Sequence, residues 1–184
     1  MKKRGFEVVV DTARRNTSDK ILETHTKAVI VPTGAMHDGK PLTKKVFIAD
    51  DVKLPVRSDS RSAGYDFFAP RDLQLLPAQK LVLYTDVKAY MQEDEVLQIF
   101  PRSSMGIKQG MMLANTVGII DASYYENEGN DGNIGLALLN TSGKAIKINK
   151  GDRIAQGVFI KYLLADDDEP TNDKRVGGIG SSGK

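Results

Sequence analysis

Along most of this chain apolar residues recur at every second position in short runs, which is the spacing of strands and not of helices. The runs Ala145-Ile146-Lys147-Ile148-Asn149, Asp72-Leu73-Gln74-Leu75 and Glu95-Val96-Leu97-Gln98-Ile99-Phe100 show it most clearly. Further strands are expected at 7–10, 27–31, 45–49, 81–88, 117–121, 133–140 and 153–163. Turn signals stand between them, among them Pro77-Ala78, Glu93-Asp94-Glu95, Ser142-Gly143-Lys144 and Lys150-Gly151-Asp152. That rhythm predicts an all-β sandwich, jelly roll or barrel. One stretch departs from it: Arg102-Ser103-Ser104-Met105-Gly106-Ile107-Lys108-Gln109-Gly110 carries serine caps in front and glycine behind, and predicts one or two helical turns.

A length of 184 residues fits a single compact domain. Within it, 27–50 reads as a hairpin added to the domain, since two strand-like runs flank Asp38-Gly39-Lys40-Pro41. The end of the chain, Gly177-Gly178-Ile179-Gly180-Ser181-Ser182-Gly183-Lys184, is too rich in glycine to pack a core, and reads as a mobile arm unless a ligand orders it.

The absence of cysteine excludes disulfides, thiol nucleophiles, thiolate metal sites and iron–sulfur clusters. The two histidines, His25 and His37, both lie in the first quarter, so chemistry elsewhere falls to carboxylates. A net charge of +2 argues against a protein that coats nucleic acid and requires any anion site to be local. No apolar h-region follows Met1-Lys2-Lys3-Arg4, and no apolar run approaches the ~18 residues of a membrane helix, so a cytoplasmic protein without membrane contact is expected.

Five stretches could carry chemistry. Pro101-Arg102-Ser103-Ser104 brings an arginine and two hydroxyls to the start of a helical turn, where unpaired N–H groups favour an anion such as phosphate; an ordinary serine cap beside a solvated arginine is the other reading. The glycine-rich arm, with Arg175 upstream, is either a phosphate cradle or a plain tail. Its match to G-x-x-x-x-G-K is rejected as a nucleotide loop because no helix follows Lys184. In Val117-Gly118-Ile119-Ile120-Asp121-Ala122-Ser123-Tyr124, Asp121 ends an apolar strand, either as a desolvated general base or as the start of a turn. In Gly151-Asp152-Arg153-Ile154-Ala155-Gln156, Asp152 reads as a turn residue, while the Gln156 amide needs a partner if buried. Ser62-Ala63-Gly64-Tyr65-Asp66 combines small residues with one inward carboxylate, structural or functional.

In this order the five stretches resemble the five motifs of the homotrimeric deoxyuridine triphosphatase (dUTPase) family. Ala63-Gly64-Tyr65-Asp66 is similar to the first and Pro101-Arg102-Ser103-Ser104 to the second. Asn115 with Gly118-Ile119-Ile120-Asp121 and Tyr124 is similar to the third, Gly151-Asp152-Arg153-Ile154-Ala155-Gln156 to the fourth, and Arg175 with the glycine-rich end to the fifth. The resemblance covers about residues 52–184. It implies a distorted jelly roll, or β-clip, with one short helix: a domain over 1–174 and a nucleotide-closing arm over 175–184.

The implied reaction is hydrolysis of dUTP to dUMP and pyrophosphate. Water would attack the α-phosphorus, and Mg²⁺ would be held by the phosphates and water with no direct protein ligand. The resemblance implies Asp121 as general base and Arg102, Ser103, Ser104 and Gln156 on the phosphates. It implies Asn115, Gly118, Ile119 and Ile120 on uracil along a hairpin over 115–121, and Tyr124 stacked under the deoxyribose to exclude UTP. Arg175, Ile179, Gly180 and Ser181 would close over the nucleotide, in a homotrimer with shared sites, and Asp66 would serve an outer-sphere or structural role. The consequences would be less uracil in DNA and a supply of dUMP for thymidylate synthesis.

Three features depart from the family pattern: Ile179 where an aromatic is usual, a lengthened turn over 125–133, and the insertion over about 14–50, a candidate surface for a protein partner. The sister dCTP deaminases carry a glutamate near the third motif that this chain lacks, and some phage-borne dUTPases bind repressors as well as nucleotide.

Overall fold

The computed structural model describes residues 2–10, 13–16, 26–37, 40–49 and 52–170, with strand pairing alone for 26–37 and 40–49. The strands in chain order are β1 (Gly5–Val8), β2 (Thr26–His37), β3 (Lys40–Ala49), β4 (Val56–Arg57), β5 (Tyr65–Phe68), β6 (Leu73–Leu75) and β7 (Lys80–Tyr84). They continue as β8 (Val87–Tyr90), β9 (Glu95–Pro101), β10 (Met111–Leu113), β11 (Gly118–Asp121), β12 (Gly135–Asn140), β13 (Ile146–Ile148) and β14 (Arg153–Lys161). All pairings are antiparallel: a five-stranded sheet ordered β11-β9-β14-β5-β4, a three-stranded sheet β10-β12-β7, and the pairs β1-β8, β13-β6 and β2-β3. The all-β expectation holds.

Period two explains the packing. In β12, Leu136, Leu138 and Asn140 turn inward while Gly135, Ala137 and Leu139 are half-exposed. In β13, Ile146 and Ile148 are buried on either side of exposed Lys147. These side chains join Phe67, Leu75, Leu83, Leu97, Ile99 and Ile154 in one core. Asn140 is fully buried and satisfied: its amide donates to the carbonyls of Leu75 and Lys144, and its oxygen accepts from Ser142. β1 closes one side through Phe6, which packs against Tyr65, Phe67 and Phe159.

Four expectations change. The run over 81–88 is two strands in different sheets, because Asp86 takes a left-handed backbone (φ 58°). Its buried carboxylate accepts from the backbone N–H of Arg15 and Asn16 and from the Asn133 amide, which holds that conformation. The stretch over 115–121 is no β-hairpin: β10 pairs with β12 and β11 with β9, so the two strands splay into separate sheets. The short helix Ser104–Gln109 is of the wide π type, and Ser103 makes no side-chain cap, its own backbone being already helical (φ −52°, ψ −44°). Gly110 does end this helix, at φ 72°. Finally, β4, β5 and β10 lie where no strand was expected.

The hairpin expected over 27–50 is present as β2 and β3. Residues 171–184, and with them the proposed arm with Arg175, Ile179, Gly180 and Ser181, lie outside the described residues. Among the described residues no helix is long and apolar enough to cross a membrane.

Candidate active site

Three neighbouring strands bring the first, second and fourth motifs to one corner. Asp66 in β5 stands opposite Gln156 in β14, and Gln156 stands opposite Phe100 in β9, so Arg102 emerges just beyond the same level. The Arg102 Nε lies 2.7 Å from Asp66 Oδ1, and Arg153 Nη1 lies 3.2 Å from Asp66 Oδ2. One carboxylate between two guanidiniums leaves the corner cationic. The Asp66 side chain is 9% exposed, against 23% for Arg102 and 49% for Arg153, so the carboxylate is the buried anchor and the cations face outward. Gln156 finds its partner in the Pro101 carbonyl, to which Nε2 donates at 3.3 Å. A Cβ on Gly64 would stand 2.8 Å from Gln156 Oε1, so glycine there leaves room for the amide. Asp66, Arg102, Gln156 and Gly64 line an open cleft of about 380 Å³ with Ser58 and Ser62, and Arg153 stands outside its lining. Ser103 is exposed and Ser104 half-exposed at the start of the short helix.

The third motif lies elsewhere on the same sheet. β11 is an edge strand, pairing with β9 from Gly118 opposite Ile99 to Asp121 opposite Val96. Every second residue of such a strand turns its N–H and C=O away from its neighbour. Ile119 is 53% exposed, and Asn115 and Asp121 are exposed as well. The desolvation expected around Asp121 is therefore not supplied by this chain's described residues. From Val96 to Arg102 is six residues along β9, which at about 3.3 Å per residue puts Asp121 and the cationic corner about 20 Å apart.

Tyr124 follows Asp121 in a 3₁₀ turn, Ala122–Tyr124. At 4% exposure its ring belongs to the core and leaves only a sliver of surface for a ligand. The lengthened turn over 125–133 wraps it with buried asparagines. Asn130 Nδ2 donates to the Tyr124 hydroxyl at 2.7 Å, and that hydroxyl donates to the Asn133 carbonyl at 2.9 Å. Outside this wrap, Lys88 is buried between Glu126 (3.0 Å) and Asp131 (3.1 Å). Burial alone would lower its ammonium pKa, but these two hydrogen bonds raise it above the ordinary lysine value. The Tyr125 hydroxyl donates to Glu7 Oε2 at 2.7 Å; burial first, and then Glu7, push that phenol above its ordinary range.

Arg153 and the three asparagines escaped the sequence reading as individual residues. Arg153 sits inside the fourth motif beside Asp152, and the spacing Asn127, Asn130, Asn133 was the available signal for the wrap. Asp152 keeps a turn role, accepting from the Asn149 N–H at 2.8 Å.

Both the fold and this distribution of residues point to one class, the all-β nucleotide hydrolases. The dUTPase family model matches residues 50–183, and the chain belongs to that family. The deoxyuridine 5′-triphosphate nucleotidohydrolase of Lactococcus lactis is 41% identical over 133 residues, 72% of this chain and 89% of its own. That of a Hydrogenobaculum strain is 34% identical over 149 residues, 78% and 98%. The crystal structure of a dUTPase from Streptococcus mutans superposes with a TM-score of 0.62 at 31% identity, covering 88% of this chain and 98% of that one. The hairpin β2-β3 falls outside the matched stretch.

Proposed function

We propose that this chain hydrolyses dUTP to dUMP and pyrophosphate, at sites shared between copies of itself. Family membership supports the reaction, and one observation carries the site: a cationic corner and an exposed carboxylate about 20 Å apart on one sheet, too far to act on one triphosphate. A second copy that sets its Asp121 against the first copy's Arg102 closes that gap and supplies the desolvation the single chain lacks. A homotrimer satisfies this with identical sites.

In that assembly Arg102 and Gln156, with Ser103 and Ser104, orient the phosphates. Asp66 holds Arg102 in place, and Arg153 shares the load. Asp121 takes the proton of a water aimed at the α-phosphorus, the P–O bond to pyrophosphate breaks, and no covalent intermediate forms. Asn115 and the outward backbone groups of Gly118, Ile119 and Ile120 read the uracil edge, which cytosine mismatches because its donors and acceptors are exchanged. The buried Tyr124 ring forms a wall beneath the deoxyribose and not an open stacking platform. Arg175, Ile179, Gly180 and Ser181 close over the nucleotide and exclude bulk water.

Mg²⁺ fits as a passenger on the triphosphate. The one carboxylate lining the cleft, Asp66, has both oxygens engaged by arginines, and no cluster of three metal-ligating side chains exists among the described residues. When bound with the triphosphate, the ion would neutralise phosphate charge. In the cell the reaction would limit uracil incorporation into DNA and supply dUMP for thymidylate synthesis.

The test is direct: dUTP, dCTP and UTP are each supplied with Mg²⁺, and pyrophosphate and ammonia are measured. Pyrophosphate from dUTP alone is expected. Ammonia from dCTP would overturn the reading in favour of deamination, and binding without turnover would leave a nucleotide-dependent regulator.

A further inference from the structure

We propose that Asn130, on the lengthened turn, is a positioning residue that makes Tyr124 a rigid wall against a ribose 2′-hydroxyl. The proposal rests on the reading above that Tyr124 lies beneath the sugar. A wall discriminates only if it does not yield, and a ring displaced by a fraction of an ångström would admit the extra oxygen. The core grips the Tyr124 ring from its sides, but tilting about χ1 swings its far end, and that end is where the turn takes hold.

The hold is a closed set of hydrogen bonds. Asn130 Nδ2 donates to the Tyr124 hydroxyl at 2.7 Å and to the Asn133 carbonyl at 3.2 Å, while the hydroxyl donates to that same carbonyl at 2.9 Å. Asn130 Oδ1 accepts from Asn127 Nδ2 at 2.8 Å and from the Gly132 N–H at 3.2 Å, so the amide cannot rotate away without losing four bonds. Asn127 Nδ2 also donates to the Tyr124 carbonyl at 2.8 Å, clamping the residue at its backbone end. Asn127, Asn130 and Asn133 are 5%, 8% and 0% exposed, so water does not replace a lost bond freely. Gly132 (φ 78°) is part of the fit, since a Cβ there would meet the Tyr124 carbonyl oxygen at 2.8 Å. Bonds on the phenol oxygen leave the ring free to flip about its own axis but oppose any tilt, which is the motion that would soften the wall.

The experiment compares kcat/KM for dUTP and UTP in the full chain, Asn130→Ala, Tyr124→Phe and the double variant. Each single change removes the same hydroxyl contact and is expected to lower the dUTP-over-UTP ratio about five-fold to ten-fold. The fall comes mainly through a lower KM for UTP, and in Asn130→Ala, which touches no substrate, kcat for dUTP stays within about three-fold of the full chain. The double variant is expected to fall no further, because both changes break the one bond that ties the amide to the phenol. A merely structural role would lower the thermal midpoint and reduce both nucleotides alike; an unchanged ratio in both single variants, or additive losses in the double, overturns the proposal. Tyr124→Phe keeps every apolar contact of the ring, so it carries the test if Asn130→Ala does not fold. Tyr124→Ala separates the two levels: if it leaves the ratio unchanged, the ring does not meet the sugar and the reading beneath fails. If it lowers the ratio while Asn130→Ala and Tyr124→Phe do not, the proposal alone fails.

Discussion

At one end of β9, Asp66, Arg102 and Arg153 are fixed by ion pairs between side chains on neighbouring strands; at the other, β11 offers a backbone edge and the exposed Asp121. The corner is cationic and carries its own counter-charge, so it keeps its shape in a single chain. The edge has its rigidity behind it, in the asparagine wrap around Tyr124, and leaves its front open. The difference teaches how the two halves depend on assembly. The ion pairs of the corner are complete within one chain, whereas Asp121 gains a low-dielectric setting only when something covers it.

The largest effect is expected from separating the halves by mutation. Asp121→Asn should reduce pyrophosphate release by about 10³-fold, and Arg102→Ala should do so by about 10²-fold, each in a steady-state assay with dUTP. If the halves come from different chains, co-refolding the two inactive variants in equal amounts restores about a quarter of full activity, since half of the chains supply each intact half. No recovery in mixed oligomers would break the comparison. Next in size, deletion of 175–184 is expected to leave a folded protein with about 1% of its dUTP turnover or less; full turnover would remove the arm from the site.

A smaller effect separates stability from chemistry. Glu95 is held below the usual carboxylate range by its hydrogen bonds from Arg4, and Glu126 by its bond from Lys88. Groups with lowered folded-state pKa values stabilise above the unfolded carboxylate pKa of about 4.3 and lose that contribution as pH falls through the lower folded value. The thermal midpoint should therefore fall on acidification below about pH 4.3 and stay level between pH 6 and 8; Glu95→Gln should flatten that acid limb. The smallest change is expected at Ile179→Phe, which gives the arm a flat ring for uracil: KM for dUTP falls, or kcat rises, by about two-fold to three-fold.

The strands legible in the sequence are those with one dry face, such as β12 and β13, where alternation and burial coincide. β5 was hidden because Asp66, Phe67 and Phe68 are buried consecutively, which erases period two. The stretch 115–121 reads as a hairpin from its sequence, yet its one strand, β11, pairs with β9, and β10 before it pairs with β12. The break at Asp86 carries no glycine or proline, its backbone being held by donors from Arg15, Asn16 and Asn133. At the site, the motif residues were readable as residue types in order, while the ion pairs of Arg153 and the amide wrap of Tyr124 were not. The former spans 87 residues, and the latter is set by loop geometry that spacing does not express.

The span from Asp66 to Arg153 also sets a timetable for synthesis. A ribosome adding about 5–20 residues per second needs about 4–17 s to travel the 87 residues between them. Until β14 emerges, β5 and β9 have no strand between them, and Arg102 and Asp66 are not yet neighbours in one sheet. A nascent or interrupted chain that lacks β14 therefore carries Arg102 and Asp66 without the strand that brings them side by side.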